Sequence, residues 1–94
     1  MVRIHGNYCG PNWTAGQRRP AKDIDKLPYV EPTDKLDAAC MQHDRTCSKG
    51  GCSRAGDRKL RNTALFLAAT SPSLREPALL IAAAMIAAEP ARSR

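Results

Sequence analysis

The sequence predicts a small all-α domain that is stapled by disulfides. The chain has 94 residues, and a core of that size is marginal without additional cross-links. Its four cysteines could form two disulfides in any of three pairings. Three stretches have a helical pattern, and little of the chain is left for a sheet. We therefore expect one domain over residues 1–94, with two antiparallel helices that carry the functional residues, a preceding loop and an apolar C-terminal helix.

The first third of the chain is predicted to lack long helices. Residues 6–16 are rich in glycine, asparagine and proline, which is typical of a loop. Residues 17–32 are charged and contain three prolines, so they are expected to form an irregular connection. His5 precedes both segments and is expected to lie in a flexible terminus.

The first predicted helix covers residues 34–47. Asp34 is a favourable N-cap residue, and Asp37 follows in the first turn, where the helix dipole favours a carboxylate. We interpret both as residues that start the helix rather than as ligands. The segment Ser48-Lys49-Gly50-Gly51 is expected to end the helix, because glycine tolerates the left-handed conformations found at helix ends.

Two further helices are predicted over residues 52–70 and 74–89. The second helix has one apolar stripe, which consists of Leu60, Ala64, Leu67 and Ala68. The third is almost wholly apolar from Pro77 to Ala88, a run of 12 residues that is too short to span a bilayer. A helix with so few polar residues is expected to be buried on most sides.

A formal net charge of +6 favours an anionic partner, either a phospholipid surface or nucleic acid. Scattered basic residues and only four aromatic side chains, without a stacking series, argue against nucleic acid. The connection carries four basic residues that form either a solvated loop or a lipid-binding patch: Arg18, Arg19, Lys22 and Lys26. Trp13 lies at its edge as a candidate interfacial aromatic.

The most informative segment runs from Asp37 to Cys47, and within it His43 is directly followed by Asp44. Consecutive residues on a helix point about 100° apart, so the two side chains serve different neighbours. His43 is the best candidate for a general base, and Asp57 on the next helix could orient its ring. Asp44 could bind Ca²⁺, which prefers oxygen ligands, and the loop around Tyr8, Gly10 and Asn12 could add backbone carbonyls.

Two motifs resemble the secreted phospholipase A2 superfamily. One is Tyr8-Cys9-Gly10-x-Asn12, where the family has Tyr-Cys-Gly-x-Gly. The other is Pro32-x-Asp34-x-x-Asp37-x-x-Cys40-x-x-His43-Asp44, with the family's spacing. Residues 6–13 are most similar to plant-type and microbial members, and the Pro-Thr-Asp-x-x-Asp-Ala-Ala pattern also resembles the phospholipase domain of parvovirus capsid proteins.

The resemblance implies calcium-dependent hydrolysis of the sn-2 ester of glycerophospholipids at a membrane surface. The net charge of the chain predicts that this surface is anionic. The resemblance assigns His43 as the base, Asp57 as its orienting carboxylate and Asp44 as the charged calcium ligand. Tyr8, Gly10 and Asn12 become the carbonyl ligands, and residues 6–16 the calcium loop. A Cys9–Cys40 disulfide is implied as well.

The chain departs from the family pattern at three positions. Asn12 replaces a glycine, Ala39 replaces one of two adjacent cysteines, and Cys47 replaces a tyrosine that contacts the orienting aspartate in many members. A local Cys47–Cys52 bridge is our interpretation of the last change. The change at Asn12 keeps the backbone carbonyl, whereas the change at Cys47 alters the hydrogen bonds that the resemblance implies around Asp57.

Two other functions fit the sequence. One is a catalytically silent relative that binds membranes or a protein partner. The other is a structural zinc module with Cys40, His43 and Cys47 on one helical stripe, completed by Cys9 or Cys52. Disulfides favour a secreted or otherwise extracytoplasmic location, including association with a virion, although residues 1–6 lack the apolar core of a signal peptide. The oligomeric state is not indicated.

Overall fold

The computed structural model describes residues 3–48 and 51–91, and this part of the chain is mainly helical. Its three α-helices are α1 (Lys35–Asp44), α2 (Arg54–Thr70) and α3 (Arg75–Ala88). Two short antiparallel strands, β1 (Cys47–Ser48) and β2 (Gly51–Cys52), connect α1 to α2. The predicted small helical domain is thus confirmed, while the antiparallel arrangement of α1 and α2 and a calcium-binding loop stay predictions.

Helix α1 begins after the predicted N-cap residue and ends earlier than expected. The side chain of Asp34 accepts a hydrogen bond from the backbone N–H of Asp37 at 2.9 Å, as an N-cap does. The helix ends at Asp44, because Cys47 already pairs with Cys52 in the hairpin. The centre of the predicted helix break, Lys49-Gly50, lies outside the described residues.

The hydrophobic core combines residues of α2 and α3, which pack extensively on each other, with residues of α1 and of the loop before it. Ser53 caps α2 by accepting a hydrogen bond from the backbone N–H of Gly56 at 2.9 Å. The apolar stripe predicted for α2 is buried as expected. Several core positions in both helices are alanines, and their small side chains allow the two backbones to approach closely (Ala64, Ala68, Ala78 and Ala82).

Helix α3 is less buried than its composition predicts. Only Ala78, Ile81 and Ala82 are buried in it. Larger apolar side chains on the same helix remain about half exposed, with relative exposures of 49% for Leu79, 54% for Leu80 and 55% for Ile86. The prediction that this helix is buried on most sides is wrong, since the described part of the chain provides a neighbour for one face only.

The connection over residues 17–32 is more ordered than predicted, because it contains a 3₁₀ helix over Ala21–Lys26. Arg19 precedes this helix and donates hydrogen bonds at 3.0 and 3.2 Å to the carboxylate of Asp23, which lies within it. His5, expected in a flexible terminus, instead lies with Nε2 2.6 Å from a carboxylate oxygen of Asp34. Across the described ranges, no helix is both long and apolar enough to cross a membrane.

The loop over residues 6–16 is joined to α1 by a buried carboxylate and a disulfide. Asp37 is fully buried and accepts hydrogen bonds from the backbone N–H groups of Asn7, Tyr8 and Thr33 at 2.8–3.0 Å. The hydroxyl of Thr33 adds another at 3.3 Å. Beside it, Cys9 is bonded to Cys40, as the family resemblance implied. Asp37 therefore has two roles: it lies in the first turn of α1, as predicted, and its carboxylate binds the backbone of the loop.

Gly6 allows this loop to approach Asp37, and its substitution should be costly. Its φ is +60°, and an added Cβ would lie 2.6 Å from both carboxylate oxygens of Asp37. We expect Gly6→Ala to lower the free energy of unfolding by about 2–4 kcal/mol, from backbone strain and overpacking together. Urea denaturation with the disulfides intact measures this loss.

Gly16→Ala is the matched control. Gly16 has a similar φ of +73°, but the nearest atom to an added Cβ is the side-chain oxygen of Asn7 at 3.3 Å. This variant should lose only about 1 kcal/mol, the cost of a left-handed non-glycine residue. Equal losses in the two variants would show that the contact with Asp37 is not the constraint.

Candidate functional site

One cavity brings together five of the six site residues predicted from the sequence. Its volume is about 440 Å³, and Tyr8, Gly10, Asn12, His43 and Asp44 all line it. The loop over residues 6–16 supplies the first three, and α1 supplies the other two. The sixth residue, Asp57, does not line the cavity but contacts His43.

His43 is held against a buried aspartate on the next helix. Its Nε2 lies 2.6 Å from Oδ1 of Asp57, which is 1% exposed. The contact forms because α1 ends one residue after His43 and the β1–β2 hairpin leads directly into α2, whose first turn contains Asp57. With the ring proton on Nε2, Nδ1 keeps a free electron pair that can accept a proton. Sequence spacing therefore selected a carboxylate that is in contact with the histidine.

Two effects act in opposite directions on His43. Burial lowers the pKa of the imidazole, since it disfavours the charged ring. The nearby carboxylate of Asp44, whose Oδ1 lies 3.8 Å from Nδ1, and the hydrogen-bonded carboxylate of Asp57 raise the pKa and outweigh burial. The net pKa of His43 is raised above the ordinary value of 6.5. The neighbouring carboxylates thus make this histidine a stronger base than a free imidazole.

Asp44, next to His43 in the chain, is a second buried carboxylate at this cavity. It is buried, and its Oδ2 has no hydrogen-bond partner in the described part of the chain. Burial raises its pKa to about 6, although the neighbouring His43 acts to lower it. An ionised carboxylate in such a place is costly unless a positive charge compensates it.

The loop beside Asp44 follows a sharply turned backbone path. Gly10 has a φ of +142° and Asn12 a φ of +55°, both in the region that side chains usually avoid. Asparagine tolerates this conformation better than most residues, which explains how it can stand where the resembled family has glycine. The carbonyl of Gly10 accepts a hydrogen bond from the N–H of Trp13 at 3.3 Å, which tightens the turn.

Both disulfides are formed, and they decide against the zinc module in this state of the protein. Cys9 is bonded to Cys40, and Cys47 is bonded to Cys52, as interpreted from the sequence. No free cysteine remains. Zinc is bound by thiolates, so bridged sulfurs cannot serve as its ligands.

Other residues of the cavity were not predicted from the sequence. Apolar walls come from α2 and α3, and a rim residue, Lys22, comes from the 3₁₀ helix; the wall residues include Leu60, Ile81, Ala84 and Met85. The unbroken apolar run of α3 was the only available signal, and we interpreted it as core. Cys47 and Cys52 also line the cavity, beside His43.

The raised pKa of His43 should depend on Asp57. We expect Asp57→Asn to lower the histidine pKa, because the change removes a negative charge while burial still disfavours the charged ring. Titration of the ring signals by NMR measures this directly. Asp25→Asn removes an equal charge from an exposed residue and should leave the pKa of His43 unchanged. An unchanged pKa in Asp57→Asn would contradict the coupling.

Comparisons with protein-family models, with curated proteins and with solved structures found no match for this chain. The resemblance to secreted phospholipases A2 thus remains an expectation from two sequence motifs. The geometry around His43 is a separate observation: a histidine bonded to a buried carboxylate, beside a second carboxylate with an unpaired oxygen, at an apolar cavity.

Proposed function

We propose that this protein hydrolyses the sn-2 ester of glycerophospholipids in a calcium-dependent reaction. The observation that carries the proposal is the contact of His43 with Asp57 at 2.6 Å, next to the unpaired carboxylate oxygen of Asp44. This combination provides a base and a cation-binding group at the same cavity. The position of the ester within the lipid comes from the resemblance alone.

In the proposed reaction, His43 activates a water molecule. Nδ1 takes a proton from the water while Nε2 donates to Asp57, which keeps the ring in the required tautomer and stabilises its positive charge. The oxygen of the water attacks the ester carbonyl, and the bond to the glycerol oxygen then breaks. The proton on Nδ1 passes to that leaving oxygen, so that the products are a lysophospholipid and a fatty acid.

Asp44 would hold the calcium ion, together with the backbone carbonyls of Tyr8, Gly10 and Asn12. These four residues line the same cavity, and three of them lie in a loop that Asp37 and the Cys9–Cys40 disulfide attach to α1. When bound, the ion would supply positive charge to the ester carbonyl oxygen. The cavity wall of Leu60, Ile81 and Met85 is suited to an acyl chain.

An extracytoplasmic location is compatible with the two disulfides and forms part of the proposal. We place the docking surface for anionic phospholipids around the cavity. Lys22 lines the cavity, and Arg18 is exposed nearby in sequence, whereas the charge of Arg19 is partly compensated by Asp23.

The exposed apolar face of α3 supplies the other half of this docking surface. Every exposed residue from Pro77 to Ala88 is apolar, and one of them, Ala84, also lines the cavity. Leu80, one turn before Ala84, is 54% exposed. An apolar helix face beside a basic rim matches the interior and the head groups of a lipid surface.

His43→Asn should abolish fatty-acid release from phospholipid vesicles in the presence of calcium. The amide cannot take the proton from water, so we expect the rate to fall by at least about 10²-fold, the lower end for loss of a general base. His5→Asn is the matched control, since His5 is the other histidine and does not line the cavity. Activity that survives in His43→Asn would mean that another group acts as the base.

Asp44→Asn should weaken calcium binding and abolish calcium-dependent activity. The neutral amide satisfies the buried position but offers the ion no charge. Isothermal titration with Ca²⁺ measures the loss, and magnesium serves as the comparison ion. Asp25→Asn controls for the change in net charge. If the calcium affinity of Asp44→Asn equals that of the unaltered protein, the ion binds elsewhere or not at all.

Charge reversal at the cavity rim should weaken membrane binding. For Arg18→Glu with Lys22→Glu we expect at least about tenfold weaker binding to anionic vesicles, since each basic group near the surface contributes up to about 1 kcal/mol. Hydrolysis of a monomeric short-chain phospholipid should be spared. Lys35→Glu with Lys59→Glu changes the net charge equally at residues that do not line this cavity and is the control. Equal losses in both pairs would place the docking surface elsewhere.

A further inference from the structure

His43 has two cysteine neighbours that the proposed hydrolysis does not use. One ring nitrogen of His43 and the sulfurs of Cys47 and Cys52 all lie within 4.8 Å of one another. Sγ of Cys47 is also 3.5 Å from the backbone carbonyl oxygen of His43. The spacing, His-x₃-Cys-x₄-Cys, brings the three residues together through one turn of helix and one hairpin.

We propose that reduction of the Cys47–Cys52 disulfide by a dithiol creates a zinc site with His43, Cys47 and Cys52 as ligands. A tetrahedral zinc ion with Zn–S bonds of about 2.3 Å needs its two sulfurs about 3.8 Å apart. Cys47 and Cys52 occupy directly paired positions on β1 and β2, so their side chains stay adjacent after the bond is broken. A water molecule would complete the tetrahedron.

The two disulfides differ in how easily a reductant reaches them. Cys9 and Cys40 are buried, with relative exposures of 0% and 2%. Cys47 and Cys52 are only partly buried and line the cavity. Because access to sulfur limits thiol–disulfide exchange, the hairpin bridge should be reduced first. The loop that carries Gly10 and Asn12 then remains bonded to α1.

The chemistry balances without a further reagent. The dithiol is oxidised to a cyclic disulfide and supplies two electrons, and Cys47 and Cys52 each become a thiol. Zn²⁺ then displaces one proton from each thiol, while the neutral ring of His43 contributes an electron pair. The ligand set of one nitrogen and two soft sulfurs favours zinc over calcium or magnesium.

Zinc binding would withdraw His43 from its proposed catalytic role, and this consequence rests on the proposed function. If the ion binds Nδ1, the proton acceptor is occupied; if it binds Nε2, the contact with Asp57 is lost. In both cases the base is blocked, so a reduced, zinc-loaded protein should not hydrolyse lipid. Zinc binding itself is independent of any hydrolase activity, and it can be tested without a substrate.

The test compares metal binding before and after mild reduction. Peptide mapping first establishes that Cys47–Cys52 is reduced and Cys9–Cys40 intact, and zinc affinity is then measured by competition with a chromogenic chelator. We expect about one zinc ion per reduced chain and at least about tenfold weaker binding to the oxidised protein. With Co²⁺ as the probe, the reduced protein should show a thiolate-to-cobalt charge-transfer band and tetrahedral ligand-field bands.

Two variants show whether all three ligands take part. Cys47→Ser with Cys52→Ser keeps the buried disulfide and should not bind zinc under the same conditions. His43→Asn keeps both thiols and should bind at least about tenfold more weakly than His5→Asn, the control that removes a histidine outside the cluster. Equal zinc affinity in His43→Asn and His5→Asn, or in the oxidised and reduced proteins, overturns the proposal. If the oxidised protein fails to hydrolyse phospholipid, that result contradicts only the proposed function, because zinc binding is measured without a substrate.

Discussion

The buried carboxylate of Asp37 connects the segments on which the candidate site depends. It receives hydrogen bonds from the loop before α1 and from Thr33 at the start of that helix, and these bonds compensate its burial. The same carboxylate leaves no room for a side chain at Gly6. The Cys9–Cys40 disulfide closes the junction covalently. The loop that carries Gly10 and Asn12 is therefore attached to the helix that carries Asp44.

A second constraint sets the geometry of His43. The early end of α1 and the short β1–β2 hairpin bring the last turn of one helix close to the first turn of the next. His43 meets Asp57 across this junction, while Asp44, its neighbour in sequence, has Oδ1 3.8 Å from Nδ1 of His43 and no hydrogen-bond partner for Oδ2 among the described residues. The two ring nitrogens of His43 therefore face two different carboxylates. The Cys47–Cys52 bridge fixes the junction and lies beside the histidine.

Local sequence signals predicted much of this fold. Asp34 is an N-cap residue, and α2 buries the stripe that its periodicity indicated. Residue types and spacing also selected five residues that line one cavity and a sixth, Asp57, that contacts His43. The cap and the stripe could be predicted because capping and periodicity involve residues within a few positions of one another, whereas the roles of the six site residues stay predictions.

Long-range packing decided the rest. Composition alone predicted that α3 is a buried core helix. Burial also depends on how many neighbours a small chain can place around a helix, and Leu80 is half exposed in the structure. The role of Asp37 as an acceptor for the loop arises from contacts about 30 residues apart. The sequence by itself determined which three segments form helices, which residues are available for disulfides and which histidine is the candidate base. Only the tertiary structure decided which carboxylates are paired, which one keeps an unpaired oxygen, and which apolar surface is left uncovered, because each depends on groups that are distant along the chain.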